Sequence, residues 1–214
     1  MHIGIIGAGN VGAALGRRWC AAGHDVMFGV RDPRGGKVQD LIGELGSRAF
    51  AGTVADAAAF GEIIVLATPF DATEQALRQA GSVAGKVVID CTNPLKPDLT
   101  GLSIGHTTSG AEAVARWALD AKVVKALNTT GAGNMLDPRY GDEAATMFIC
   151  GDDSAAKAVV GALVRELGFD MVDAGPLTQA RLLEPLAMLW ISLAYACGLG
   201  RDIAFRLARR GRAR

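Results

Sequence analysis

Residues 2–12 constrain the fold more than any other stretch of this chain. His2-Ile3-Gly4-Ile5-Ile6 is a short apolar run that reads as a buried strand. Gly7-Ala8-Gly9-Asn10-Val11-Gly12 follows without a break, and an Ala/Leu-rich helix pattern begins there. A G-x-G-x-x-G between a strand and a helix N-terminus has a mechanical reading. Gly7 permits the tight turn, Gly9 lets a pyrophosphate approach the backbone, and Gly12 lets the helix pack closely on the strand. Free N–H groups and the positive end of the helix dipole then hold the phosphates. The competing reading is a glycine-rich turn of an α/β protein that binds no nucleotide.

The end of the next strand says which nucleotide. Asp25-Val26-Met27-Phe28-Gly29-Val30 reads as that strand, and Arg31 stands at its tip, where NAD-binding versions place a carboxylate for the adenosine ribose. Arg34 and Lys37 follow in the loop Asp32-Pro33-Arg34-Gly35-Gly36-Lys37. A guanidinium grips a 2′-phosphate through a planar fork of donors. A hydrogen bond to a charged group is worth roughly 1.5–3 kcal/mol, or about ten- to hundredfold in affinity. NADP(H) is therefore expected over NAD(H). Asp32 opposes this, because it can repel a 2′-phosphate or take the ribose hydroxyls itself. Arg34 and Lys37 also fit an ordinary solvated loop.

The remaining elements alternate. Helices are expected over 10–22, 38–45, 54–60, 71–80 (capped by Asp71 or Thr73), 111–119 and from Asp152 or Asp153 to Leu167. Strands are expected near 49–51 and over 63–67, 86–91, 122–127, 145–150 and 170–173, with a long apolar helix from Leu177 to about Cys197. The pattern argues a Rossmann-type, doubly wound, mostly parallel sheet with a small C-terminal α/β extension. The division expected is residues 1–130 as the NAD(P)-binding domain and 131–214 as the extension, which carries the substrate crevice and a dimer contact. Ligands of such sheets bind at the carboxyl ends of the strands. Four ends then share one crevice: Gly7 to Gly12, Thr68-Pro69-Phe70, Asn93-Pro94-Leu95 and Asn128 to Gly131. These small, polar or proline-bearing segments suit a nicotinamide held by amide and hydroxyl groups.

Composition excludes several classes of partner. Lys+Arg and Asp+Glu both number 22, so nothing global draws the chain to nucleic acid or to a membrane surface. The first strand is expected to start at residue 2, without a basic segment or cleavage site, so no secretory leader is expected. The uncharged run Pro185–Gly200 is too short and too interrupted to span a bilayer. Arg206 to Arg214 reads as a frayed, solvated tail rather than a contact for lipid or RNA. Cys20, Cys91, Cys150 and Cys197 form no C-x-x-C pair and read as buried thiols of a cytoplasmic protein. His2, His24 and His106 lack metal-ligand spacing, so no metal site is expected.

A dehydrogenase acting on an alcohol needs a proton acceptor beside the hydride donor. No Lys, His or Tyr stands clearly at a strand end. Lys125 lies inside a strand, His106 on a loop, and Tyr140 and Tyr195 elsewhere; Asp90 reads as structural. No catalytic acid or base is assigned. That favours transfer between two redox rings, in which the protein mainly aligns them.

The chain resembles the F-420-dependent NADP reductases and their bacterial NADPH-binding relatives. The similar segments are Gly7 to Gly12, Gly29-Val30-Arg31, Thr68-Pro69-Phe70, Asn93-Pro94-Leu95, Cys150-Gly151-Asp152-Asp153, Asp173-Ala174-Gly175-Pro176-Leu177 and Ala180-Arg181-Leu182-Leu183-Glu184. The cytoplasmic domain of the six-transmembrane metalloreductases is similar too. The resemblance implies hydride transfer between nicotinamide C4 and C5 of an 8-hydroxy-5-deazaflavin (coenzyme F-420). Arg31 would take the 2′-phosphate with help from Lys37, and the backbone at Asn10 and Val11 the pyrophosphate. The second ring would lie against Asn128-Thr129-Thr130 and the start of the final helix, near Leu177 and Leu186.

The chain departs from that family in places. Val30 replaces the usual Ser before the arginine. Asn128-Thr129-Thr130-Gly131 stands where archaeal members carry a His-Thr-Ile-Pro-like segment, and Pro185-Leu186-Ala187 where they carry hydroxyl residues. A flavin, quinone or ferric chelate is therefore a competing acceptor. A protein that senses NADP(H) without turnover is a third reading. Leu182, Leu186, Leu189 and Leu193 fall at helical spacing, as do Leu183, Trp190 and Ala194. Apolar residues nearly all round this helix predict a homodimer made largely by it.

Overall fold

The structure is a computed structural model, and it describes residues 1–210. In chain order its elements are β1 (His2–Ile6), α1 (Asn10–Ala21), β2 (Asp25–Gly29), α2 (Gly36–Leu45), β3 (Ala49–Gly52), α3 (Val54–Phe60), β4 (Ile63–Leu66), α4 (Phe70–Ala80), β5 (Val87–Asp90), α5 (Gly110–Trp117) and β6 (Lys122–Lys125). They continue with α6 (Ala132–Leu136), β7 (Arg139–Tyr140), β8 (Glu143–Ala144), β9 (Thr146–Gly151), α7 (Ser154–Glu166), β10 (Asp170–Asp173) and α8 (Ala180–Ile191).

Eight strands form one sheet in the order β10-β9-β6-β5-β4-β1-β2-β3. β1 and β4 are continuous apolar runs because helices cover both of their faces. Trp19, Leu15 and Phe28 fill the layer on one side of the sheet. Leu66, Val88, Val114 and Leu183 fill the other. The chain winds outward from β1 through β2 to β3, then returns to β4 and winds the opposite way. The order therefore reverses between β1 and β4, which opens a crevice at their carboxyl ends. Among the described residues no helix is long and apolar enough to cross a membrane.

Several expectations need correction. β9 runs antiparallel to β6, with Lys125 opposite Cys150, while every other pairing in this sheet is parallel. The β7–β8 hairpin lies in a stretch that carries no period-2 pattern of its own. α4 begins at Phe70 behind Pro69, and neither Asp71 nor Thr73 caps it; the Thr73 hydroxyl instead donates to Pro69 O at 3.1 Å. Of the two aspartates before α7, Asp153 is the cap, accepting from Ala156 N at 2.8 Å. The final helix divides into a 3-10 turn over Leu177–Gln179, α8, and a π turn over Ser192–Ala196. Cys197 follows that π turn, where the chain leaves the core, and is exposed rather than buried.

The tail is partly built in. Thr146 N donates to Phe205 O at 2.9 Å and Leu207 N to Thr146 Oγ1 at 3.0 Å, so the segment lies along β9. Arg206 pairs with Glu143. Residues 211–214 of the Arg-rich end lie outside the described residues.

Candidate functional site

Gly7 ends β1 with φ +107° and donates its N–H to Gly29 O at 3.0 Å. That backbone conformation, and a hypothetical Cβ only 2.7 Å from Ala67 O, leave room for glycine alone. Gly12 is a contact of the same kind, because its Cβ would stand 2.0 Å from Gly7 O. Gly9 differs: nothing lies within 4 Å of where its Cβ would be. The space over Gly9 is thus open beside the first turn of α1, whose leading N–H groups have no partner within the helix.

A cavity of about 700 Å³ occupies the crevice. Gly7, Ala8 and Gly9 form its floor; Val30, Arg31 and Lys37 one side; Thr68 and Pro69, with Gln75 and Gln79 of α4, the other. Arg31 and Lys37 are exposed and make no ion pair among the described residues. Asp32 closes a local turn: its Oδ1 accepts from Arg34 N at 3.1 Å, and its carbonyl accepts from Gly35 N at the same distance. Thr68 Oγ1 lies 3.0 Å from Thr73 Oγ1. Since Thr73 gives its own proton to Pro69 O, Thr68 is the donor of that pair.

The other sequence-picked residues are placed differently. Asn10, Val11 and Thr130 line a second cavity of about 560 Å³. Asn93 and Asn128 bond to each other: Asn128 Nδ2 donates to Asn93 Oδ1 at 3.0 Å, and Asn93 Nδ2 to Asn128 O at 2.9 Å. Thr129 is buried against Met147. Pro94 is buried, its carbonyl accepting from Ser103, and Phe70 packs on Trp117. Leu177 is buried, with its N–H on Asp152 Oδ1 at 2.8 Å, and Leu186 is half-buried on α8. Gly12, Phe70, Asn93, Pro94, Asn128, Thr129, Leu177 and Leu186 line neither cavity. Sequence reasoning missed Gln75, Gln79, Tyr195, Arg201 and Asp202 as lining residues, since none sits at a strand end.

It also missed what surrounds Lys125. The ammonium is fully buried and meets Asp90 Oδ2 at 2.9 Å, Glu184 Oε1 at 3.0 Å and Thr92 O. Burial alone would lower its pKa; the two carboxylates outweigh that and hold it above its ordinary range. One negative charge remains over, and the N-terminus of α5 answers it: Gly110 N donates to Glu184 Oε2 at 2.8 Å and Ala111 N to Oε1 at 3.0 Å. This cluster joins β5, β6, α5 and α8 beneath the crevice. Its lysine is out of reach of any ligand, so it accepts no substrate proton. Burial likewise pushes the nearby Cys150 thiol up to about 12, far from a reactive thiolate. Of this network the sequence reading had Lys125 inside a strand and Asp90 as structural, but not that Glu184 of the last helix joins them.

Comparison with known proteins fits this geometry. The family model for coenzyme F-420-dependent NADP oxidoreductases matches residues 2–94. The crystal structure of a provisionally assigned F-420-dependent NADP-reductase from Arthrobacter sp. FB24 superposes with TM-score 0.88 at 35% identity, covering 97% of this chain and 99% of that one. The chain belongs to the F-420-dependent NADP oxidoreductase family. The chain also resembles a hypothetical protein from Sinorhizobium meliloti, with TM-score 0.74 and 30% identity over 84% of this chain and 87% of that one. Metalloreductase STEAP3 of Rattus norvegicus is 30% identical over 190 residues, which make up 87% of this chain. The chain spans only 37% of that metalloreductase's length.

Proposed function

We propose that this oxidoreductase holds NADP(H) across the glycine turn and passes a hydride between it and a deazaflavin of the coenzyme F-420 type. The observation that carries the nucleotide half is the larger cavity, which gathers Gly7–Gly9, Arg31 and Thr68–Pro69 around one space. The residues fit the group. The open face over Gly9 admits a pyrophosphate to the α1 N–H groups. Arg31, with Lys37 beside it, is free to bind a 2′-phosphate bidentately. The turn occupies one Asp32 oxygen, which weakens the case for a ribose-binding acid there. When bound, NADPH supplies a hydride from its nicotinamide ring. The protein's own contribution is to fix that ring at the strand ends and keep water from it. With Lys125 sealed beneath the crevice, no general acid is asked to act, which suits exchange between two redox rings.

The relation to the rat metalloreductase favours a second reading, reduction of a ferric chelate or a flavin. One assay separates them: purified protein with NADPH or NADH against oxidised coenzyme F-420, FMN, a quinone and ferric citrate, with melting temperatures recorded alongside. Fast NADPH-dependent reduction of the deazaflavin alone is the expected result. Turnover of ferric citrate or FMN in its place moves the assignment to the second reading. Stabilisation by NADPH with no turnover of any acceptor overturns the enzyme reading in favour of a nucleotide sensor.

A further inference from the structure

The ends of β4, β5 and β6 are all tied to one turn of α8. Leu183 O accepts from Asn128 Nδ2 at 3.3 Å, and the same amide reaches Asn93 Oδ1 across the ends of β6 and β5. Glu184, next in the chain, grips the start of α5 through Gly110 N and Ala111 N. Gly110 carries that grip to β4 and β5. A Cβ there would stand 2.9 Å from Phe70 Cε2, 3.1 Å from Pro94 Cδ and 3.1 Å from Glu184 Oε1. Its backbone is therefore wedged between Pro94, just past β5, and Phe70, which follows Thr68-Pro69 directly. Trp117, at the other end of α5, packs on the same Phe70 ring with centroids 5.6 Å apart. Ser103 holds Pro94 as well, with its N–H on Pro94 O at 2.7 Å and its hydroxyl on the same oxygen at 3.0 Å. The long connection from β5 to α5 thus leaves the sheet at Pro94 and returns against it at Gly110.

Stability does not account for an acid at this place. Charges buried together stabilise little more than apolar side chains of the same volume. Glu184 is 1% exposed, and the other buried residues of α8 are apolar. What the carboxylate adds is direction. Its Oε2 is committed to Gly110 N, and its Oε1 to Ala111 N and Lys125 Nζ. The first turn of α5 is therefore fixed against β6 and α8 at once, and Phe70 and Pro94 are fixed through it.

We propose that Glu184 is a positioning residue for the nicotinamide half of NADP(H). It acts through Gly110 on Phe70 and Pro94, and so sets where the Thr68–Pro69 wall and the end of β5 stand. The proposal rests on the coenzyme reading above, in which Arg31 takes the adenosine 2′-phosphate on the opposite side of the cavity. Two variants disturb the linkage at different points. Glu184→Gln removes one charge and leaves Asp90 and Lys125 as a balanced pair. Gly110→Ala keeps every charge, and its methyl group presses on Phe70 and Pro94; alanine favours a helix over glycine, so α5 survives. NADP+ and 2′,5′-ADP are titrated into each by calorimetry. The fluorescence of bound NADPH is recorded too, since it reports the surroundings of the dihydronicotinamide. Both variants should weaken NADP+ by about three- to tenfold, the worth of one hydrogen bond, and shift that emission. 2′,5′-ADP has no nicotinamide and should bind as to the wild type. Glu112→Gln, which loosens α5 from α8 at the surface, should change neither ligand. Wild-type NADP+ affinity and emission in Gly110→Ala, or in a folded Glu184→Gln, overturns the proposal. So does an equal loss of both ligands, or the same loss of NADP+ in Glu112→Gln. Wild-type protein that binds no 2′,5′-ADP overturns the coenzyme reading on which the proposal stands.

Discussion

At the scale of single residues, Arg31 and Lys125 show two fates of a cation at a strand end. Arg31 is exposed on the cavity rim and meets no carboxylate among the described residues, so its worth is realised only with a ligand. Arg31→Ala should weaken 2′,5′-ADP by about ten- to hundredfold and leave 5′-AMP unchanged, because only the former carries the 2′-phosphate. Calorimetric titration of both ligands checks this; an equal loss for both would point to damage at the turn instead. Lys125 is spent on the protein itself. Lys125→Met strands two buried carboxylates, and should cost about 3–5 kcal/mol in a urea unfolding experiment. A cost below about 1 kcal/mol would mean that water reaches the cluster. Arg31 was legible in the sequence because the position after a Rossmann second strand has a known use. Lys125 was not, since its partners come from distant stretches, and nothing local tells a buried lysine from an edge one.

At the scale of elements, α5 and α8 are joined by more than apolar contact. Arg181 donates to both oxygens of Glu112, at 2.9 and 2.6 Å, and the Ser109 cap donates to the same carboxylate at 2.7 Å. The arginine, aided by Ser109, holds the Glu112 carboxyl below its ordinary range against the opposing effect of burial. A folded-state pKa below the unfolded one adds stability above the unfolded value of about 4.3, and that stability fades as pH falls through the folded value. The melting temperature should therefore drop on acidification below about pH 4.3, and Glu112→Gln should drop less over the same interval. Parallel slopes for the two proteins would remove Glu112 from the account. Most elements here were readable, since apolar runs bounded by glycine define strands buried on both faces. The direction of β9 was not, because pairing direction depends on how the intervening chain crosses the sheet. The π end of the last helix was invisible for a related reason: its signal is a backbone bond pattern, and Ser192–Ala196 has the composition of an ordinary helix.

At the scale of the whole molecule, α8 has more apolar surface than one chain covers. Leu183, Ala187, Trp190 and Ala194 face inward. Leu182 remains 66% exposed and Leu189 49%, with Tyr195 and Leu199 continuing the patch at 59% each. The helix is thus two-faced rather than buried all round, and its outer face is a fit for a second copy of the same helix about a two-fold axis. A stable dimer needs roughly 800 Å² from each partner, more than these side chains supply alone, so neighbouring surface must contribute. A Leu189→Asp, Leu193→Asp double change sets charges on this face and should give monomers by light scattering, where the unaltered protein gives twice that mass. Leu189 is exposed, and Leu193 only half-buried, so the fold should survive. Retained 2′,5′-ADP binding would show that it has. The same mass before and after the change would exclude this helix as the contact.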